Sequence, residues 1–215
     1  MADDRGLEIA AVERFDRETL LGALRRTPLR GHGQARIYER AELELTAPLP
    51  TGSFVPAQRY VLAPGVRTML ALRQGLLAQG ADLFDLQGGA YVRLAADPDE
   101  VIPVTPPIVE ESHEPDGRKV LLIADGLHRV YAAHAEGLPI SVVLVRELPA
   151  ELPYYAYALP GGWAEVSSIE ELPDSYEKKH YRQPSGYKAL FREYNAVIPG
   201  IQKDRKKSNP PHLQA

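Results

Sequence analysis

The chain has 215 residues, no cysteine and a formal net charge of −4. Without cysteine it cannot contain disulfide bonds, thiolate metal sites, iron–sulfur clusters or a cysteine nucleophile. No apolar run approaches the roughly eighteen residues of a membrane helix, and the acidic start MADDRGLE lacks the apolar core of a secretory signal. We therefore expect a cytoplasmic protein with no membrane partner.

Two helices are predicted in the first eighty residues. Asp16 is placed to cap a helix over residues 17–26. An apolar stripe that starts at Val66 predicts a second helix, which Gln79-Gly80 would end. Between them, residues 34–46 show partial alternation and favour an extended segment.

A β-hairpin is predicted after the second helix. Its strands would cover residues 82–86 and 90–95, joined by a turn at Gln87-Gly88-Gly89. Asp97-Pro98-Asp99 is expected to interrupt the chain after the second strand.

The second half alternates short apolar runs with one helical stripe. Strands are predicted over residues 108–112, 119–124 and 140–145, and a helix over residues 127–136. The order of strand, helix and strand predicts a right-handed βαβ crossover with parallel strands. Together with the first half, this pattern predicts a mixed α+β fold.

The junction between the strand at 119–124 and the helix at 127–136 carries the sharpest motif, Asp125-Gly126-Leu127-His128-Arg129. The first amides of a helix have no partner within the helix, and the helix dipole adds positive charge there, so a phosphate is a natural ligand. Arg129 could bind phosphate oxygens, His128 could donate to them, and Asp125 could hold a divalent cation. In the plainer alternative, Asp125 only caps the helix while His128 and Arg129 face solvent.

The stretch VLLIADGLHRVYAAHAEGLPISVVLV, preceded by PPIVEES, resembles the ParB/sulfiredoxin superfamily over residues 101–145. The resemblance implies a ParB/sulfiredoxin-like core at residues 101–146. Around it we expect an N-terminal elaboration at 1–100, a tyrosine-rich elaboration at 147–201 and a basic tail at 202–215.

The resemblance also implies nucleotide or phosphate binding at Asp125, Gly126, Leu127, His128 and Arg129. Sulfiredoxin chemistry is excluded because Leu127 stands where that branch has its catalytic cysteine. Chromosome-partition members bind CTP and carry a helix-turn-helix domain, of which we find no clear sign. The DG-x-x-R motif with a nearby histidine is most similar to that of free-serine kinases. This implies a phosphotransferase that uses a nucleotide (ATP, ADP or CTP) and Mg²⁺ at Asp125 to phosphorylate a small hydroxyl-bearing metabolite.

Phosphoryl transfer also needs a carboxylate near the attacking oxygen, where it can act as the base. Glu110 and Glu111 lie on the strand predicted to flank the motif, and alternation lets only one of them face it. Either glutamate could be the base, with His128 contacting the transferred group. The alternative is that both glutamates only protect an edge strand.

Positive charge is concentrated at the C-terminal end. Residues 177–215 carry a net charge of +6 and the rest of the chain −10. Seven of the eleven tyrosines lie from Tyr154 to Tyr194, and the spacing of Tyr187, Phe191 and Tyr194 predicts a helix with a core-facing stripe. The basic end could contact nucleic acid or a protein partner, or it could dock on the acidic body.

Two rivals to the phosphotransferase therefore stay open. One is a nucleotide-responsive binding module that uses the basic end and performs no turnover. The other is a metal-dependent nuclease.

Overall fold

Residues 7–174 and 176–198 are described by this computed structural model and form three α-helices and ten β-strands. The helices are α1 (Arg17–Leu24), α2 (Ala63–Ala78) and α3 (Leu127–Ala135). The strands are β1 (Ile9–Asp16), β2 (Glu42–Leu45), β3 (Phe54–Val55), β4 (Tyr60–Leu62), β5 (Gly88–Leu94), β6 (Asp97–Val104), β7 (Ile108–His113), β8 (Lys119–Asp125), β9 (Val143–Arg146) and β10 (Ser167–Ile169). The mixed α+β prediction is confirmed. The predicted tail at 202–215 lies outside the described residues.

A five-stranded sheet with the order β2-β9-β7-β8-β3 forms the centre. Strand β7 pairs antiparallel with β8 and parallel with β9, so β8 and β9 run in opposite directions with β7 between them. The predicted parallel βαβ crossover is therefore wrong. The apolar runs located the strands, but a run of apolar residues does not specify the direction or neighbour of its strand.

The predicted hairpin at 82–95 is also wrong. Residues 82–86 form a turn, in which the Asp82 carboxylate accepts the Phe84 N–H at 2.9 Å and pairs with Arg73 at 2.8 Å. Strand β5 pairs with β1 and β6 instead, giving a three-stranded sheet. The expected interruption at Asp97-Pro98-Asp99 lies within β6, an outer strand of that sheet, where proline is tolerated.

Both predicted helices of the first half are confirmed. The Asp16 carboxylate accepts the Thr19 N–H at 2.7 Å, as an N-cap residue should. Helix α2 ends with Gln79 as its C-cap, and Gly80 follows in the left-handed conformation at φ +69°.

The predicted helix through Tyr187, Phe191 and Tyr194 is wrong, although Tyr194 is buried as expected. Two short 3₁₀ turns, Tyr187–Leu190 and Tyr194–Ala196, replace it. Between the turns the chain is extended, because the backbone of Arg192 bridges to Leu29.

Apolar side chains cover both faces of the five-stranded sheet. On one face, Val109, Ile123 and Leu144 pack with residues of α2 and α3. On the other face, α1 and the end of the described chain pack on Ile108, Val143 and Val145. No helix among the described residues is long and apolar enough to cross a bilayer.

Candidate functional site

The strand-to-helix junction, residues 125–129, is called the elbow below. Gly126 lies between β8 and α3 with φ +82° and ψ +23°, a left-handed conformation that suits glycine. A Cβ atom here would also stand 2.7 Å from Nη2 of Arg129 and 2.9 Å from Cβ of Pro107. The elbow therefore needs glycine both for its backbone angles and for space.

The first turn of α3 contains two backbone N–H donors that have no acceptor in the described chain. The N–H groups of Arg129 and Val130 donate to the Gly126 carbonyl at 2.9 and 3.1 Å. In the described part of the chain, no acceptor contacts the N–H of Leu127 or His128. These two amides have the position of helix-start donors that bind anions.

Arg129 lies against the elbow and not in solvent. Its Nη2 contacts Oδ2 of Asp125 at 3.3 Å, and the two side chains are 14% and 25% exposed. The Nε atom is buried and has no hydrogen-bond partner among the described residues. Burial lowers the pKa of Arg129, and the neighbouring Asp125 carboxylate opposes this only in part.

His128 faces the junction of β4 and α2. The backbone N–H of Leu62 donates to Nε2 of His128 at 3.2 Å, which assigns the ring proton to Nδ1. The ring lies so close to Gly65 that a Cβ there would be 2.7 Å from Cδ2 of His128. Burial lowers the pKa of His128, and the positive charges of Lys178 and Arg129 lower it further. The ring is therefore neutral near pH 7 and links α3 to α2.

Glu110 is a buried ion-pair partner. Its oxygens accept hydrogen bonds from Nε and Nη2 of Arg192 at 2.8 and 2.9 Å, and both side chains are 1% exposed. The Tyr38 hydroxyl donates to the same carboxylate at 2.6 Å, and the Tyr194 hydroxyl lies 2.6 Å from that of Tyr38. The carboxylate is thus surrounded by protein donors.

Glu111 projects from the same strand into another environment. It is 25% exposed and contacts Lys119 at 3.2 Å and His113 at 3.7 Å. Its partner across β8 is Leu121, whereas that of Glu110 is Leu122. At about 3.3 Å per residue, these positions lie roughly 13 and 10 Å from Asp125 along the strand.

The structure therefore brings together Asp125, Gly126 and Arg129. His128 lies in the same helix turn, but its ring contacts Leu62 and Gly65 instead. It does not bring either glutamate to the elbow. The alternative in which they protect an edge strand is wrong, because β7 is the central strand of its sheet.

Sequence reasoning missed the residues that surround Glu110. Arg192 is 82 positions away along the chain, and Tyr38 is 72 positions away in the other direction. No local pattern marks either of them. A buried glutamate in a predicted central strand would have signalled that a cationic partner was required.

A family model described as the ParB CE domain matches residues 19–167, about two thirds of the chain. The match includes all of β7, β8, the elbow, α3 and β9, and the resemblance to ParB-like proteins is thereby confirmed. Comparison with the curated proteins and with the solved structures gives no match.

Proposed function

The chain belongs to the ParB CE domain family, and from that premise we propose that its elbow binds the phosphate groups of a nucleotide. The observation that carries this proposal is the incomplete bonding of Arg129. Its guanidinium has one long contact to Asp125 and a buried Nε without a partner in the described chain, next to the two open amides of Leu127 and His128. A phosphate oxygen would accept from the two amides and from the terminal nitrogens of Arg129, while the buried Nε packs against Gly126.

The proposal includes Mg²⁺ because of the position of Asp125. A phosphate beside Arg129 would also lie near the Asp125 carboxylate, and the two negative charges would repel each other. Mg²⁺ commonly binds one or two carboxylates together with substrate phosphates. The described residues contain no group of three or more metal-ligating side chains, so Asp125 would hold the ion only together with the nucleotide.

The geometry favours binding without turnover over phosphoryl transfer. Glu110 is fully engaged by Arg192 and Tyr38, and Glu111 is paired with Lys119 away from the elbow. Neither glutamate is placed to receive a proton from a substrate at Arg129.

Transfer to a small hydroxyl-bearing substrate remains the second candidate, favoured by one observation. Asp125 is a partly exposed carboxylate within the elbow itself, where it could serve a phosphoryl transfer that uses Mg²⁺.

Nucleotide titration tests the proposal. ATP, ADP and CTP are titrated with and without Mg²⁺ into the wild type, Arg129→Lys and Arg118→Ala, with calorimetry as the readout. Arg129→Lys keeps the charge but removes the forked guanidinium. Arg118→Ala is the matched control, because Arg118 pairs with Asp116 at 2.6 Å on the exposed β7–β8 turn.

We expect Mg²⁺-dependent binding of at least one nucleotide to the wild type and to Arg118→Ala, with an affinity lower by tenfold or more in Arg129→Lys. No binding of any nucleotide, or equal binding by Arg129→Lys, would contradict the proposal. Release of ADP or CDP in the presence of small alcohols and amino acids would favour the second candidate.

A further inference from the structure

A recess at the C-terminal end of α3 has no role in the elbow. Its volume is about 440 Å³, and its walls are residues 50–52, residues 137–139 and His134. Sites for small molecules usually have volumes of about 300–1,000 Å³. Helix α3 has nine residues and rises about 1.5 Å per residue, so the elbow lies roughly 13 Å away at its other end. We call this feature the α3 recess.

Backbone hydrogen bonds hold the two walls of the α3 recess in place. Leu49 and Ile140, which directly flank the walls, exchange two N–H to carbonyl bonds at 3.0 and 2.9 Å. In the second wall, the Leu138 N–H donates to the Ala133 carbonyl at 2.9 Å. The recess is therefore part of the fixed fold, and a ligand would not bear the cost of ordering it.

The lining of the α3 recess is mainly apolar. Pro50, Leu138 and Pro139 contribute apolar side chains, and a Cβ atom at Gly52 or Gly137 would meet nothing within 4 Å. Among the described residues that line the recess there is no Asp, Glu, Lys or Arg. A charged ligand would lose hydration there without gaining a counter-charge. The lining therefore favours an uncharged ligand with an apolar body.

His134 is fixed in the wall by two neighbours. Its Nδ1 atom lies 3.1 Å from Oγ1 of Thr51, and its ring stacks on that of Trp163 with the centroids 4.4 Å apart and 12° between the planes. The Nε1–H of Trp163 in turn donates to the Thr51 carbonyl at 3.1 Å. These three residues all contact one another, so the orientation of the imidazole is set by the protein.

The second ring nitrogen of His134 is the polar group that a ligand could use. Within residues 7–174 and 176–198, Nε2 has no hydrogen-bond partner. This nitrogen is a donor or an acceptor, depending on which ring nitrogen carries the proton. A hydroxyl group both donates and accepts, so it can satisfy Nε2 in either tautomer.

From these observations we propose that the α3 recess binds a small, uncharged molecule with an apolar body and a hydroxyl group that bonds to Nε2 of His134. A protein partner would need a larger apolar centre to its interface, yet the large exposed apolar residues of the described chain, Leu77, Leu172 and Tyr176, all lie outside the recess. The proposal is independent of nucleotide binding at the elbow.

NMR titration of the full-length protein tests this proposal. Trp163 is the only tryptophan of the chain, so its indole N–H gives a single signal beside the recess. The probes are phenol and toluene, which have nearly the same size and differ in the hydroxyl group.

Two variants and one control are titrated with both probes. Gly52→Leu places a larger side chain in the wall, and His134→Phe keeps an aromatic ring but removes both nitrogens. Ser53→Leu is the matched control, because Ser53 is the exposed neighbour of Gly52 and does not line the recess.

We expect phenol to shift the Trp163 signal saturably in the wild type and in Ser53→Leu. Phenol should bind about threefold to tenfold more tightly than toluene, which is the difference that one hydrogen bond supplies. Gly52→Leu should weaken the binding of both probes by about tenfold or more, because the added side chain overpacks the site. His134→Phe should bind phenol and toluene equally.

Absence of a saturable shift, an equal loss in Ser53→Leu, or undiminished binding of phenol by Gly52→Leu would overturn the proposal. So would a preference for phenol that persists in His134→Phe. Arg129→Lys should leave the binding of phenol unchanged, so a failure at the elbow and a failure at the recess can be told apart.

Discussion

Two arginine–carboxylate pairs flank the central strands of this protein, and they differ in how completely they are bonded. Arg192 makes two bonds to Glu110, and its Nη atoms also donate to the carbonyls of Leu190, Pro153 and Leu152 at 2.7, 3.1 and 3.3 Å. Arg129 makes one contact of 3.3 Å to Asp125 and leaves its buried Nε without a partner in the described chain.

The difference separates a structural pair from a candidate binding pair. A guanidinium has five N–H donors, and the surroundings of Arg192 supply acceptors throughout, so a ligand would add nothing there. Within the described chain, the surroundings of Arg129 leave its buried Nε without an acceptor. The comparison therefore predicts a large effect on stability when the first pair is broken and a large effect on binding when the second is changed.

The largest loss of stability is expected for Glu110→Gln. It leaves the guanidinium of Arg192 buried without its counter-charge, which costs about 3–5 kcal/mol when a buried pair is broken. Glu111→Gln, one position along the same strand and 25% exposed, should cost less than about 1 kcal/mol. Urea unfolding of both variants measures the difference, and similar small losses would contradict a structural role for the Glu110 pair.

Gly126→Ala should cost less than Glu110→Gln but should also affect the elbow. The left-handed backbone costs about 1–2 kcal/mol for a residue with a side chain, and the new methyl group would collide with Arg129 and Pro107. Gly137→Ala is the control, because Gly137 at the other end of α3 has φ +64° but open space around its Cβ position.

Unfolding and nucleotide titration of this glycine pair separate strain from collision. We expect both variants to lose stability, Gly126→Ala more than Gly137→Ala, and only Gly126→Ala to lose nucleotide affinity. Equal losses in both measurements would show that the space beside Gly126 is unimportant.

Asp125→Asn should lower stability by less than Glu110→Gln does, because Arg129 loses one contact of 3.3 Å whereas Arg192 loses two of 2.8 and 2.9 Å. The same change removes the charge that repels phosphate. Calorimetry should then show tighter nucleotide binding without Mg²⁺ and a smaller effect of adding Mg²⁺. Asp116→Asn on the exposed β7–β8 turn is the control and should leave both affinities unchanged.

Sequence alone located the elbow but not the Glu110–Arg192 pair with which the elbow is compared. Glycine between an apolar strand and a helical stripe is a local signal, and β7, β8 and α3 lie close to their predicted positions. The pairing of β9 with β7 depends on long-range packing, and so does the contact of Arg192 with Glu110 across 82 positions. Local periodicity carries no information about such contacts.

His128 shows the same limit within the elbow itself. The motif predicted a donor to phosphate, and that role stays a prediction, since the partner of Nε2 in the structure is the N–H of Leu62. Leu62 belongs to a strand that pairs with β10, and Gly65 gives the ring its space. Neither neighbour can be deduced from the five residues of the motif.

The smallest expected effect is a pH dependence of stability due to His128. Burial is the main cause that lowers the pKa of His128 below its ordinary value of 6.5, Lys178 and Arg129 act in the same direction, and Asp125 opposes them. A base with a lowered pKa in the folded state binds fewer protons than in the unfolded state. The stability that depends on the neutral ring is therefore fully present above about pH 6.5 and is lost as the pH falls through the lowered pKa.

Urea unfolding at pH 7.5 and 5.5 measures this loss. Gln can accept the Leu62 N–H without titrating, so His128→Gln should lose less stability between the two pH values than the wild type does. His113→Gln, whose parent side chain is 69% exposed, should behave as the wild type. If His128→Gln instead loses as much as the wild type, protonation of the ring does not disturb its contact with Leu62. The first turn of α3 would then be held in place by Arg129 and the helix core alone.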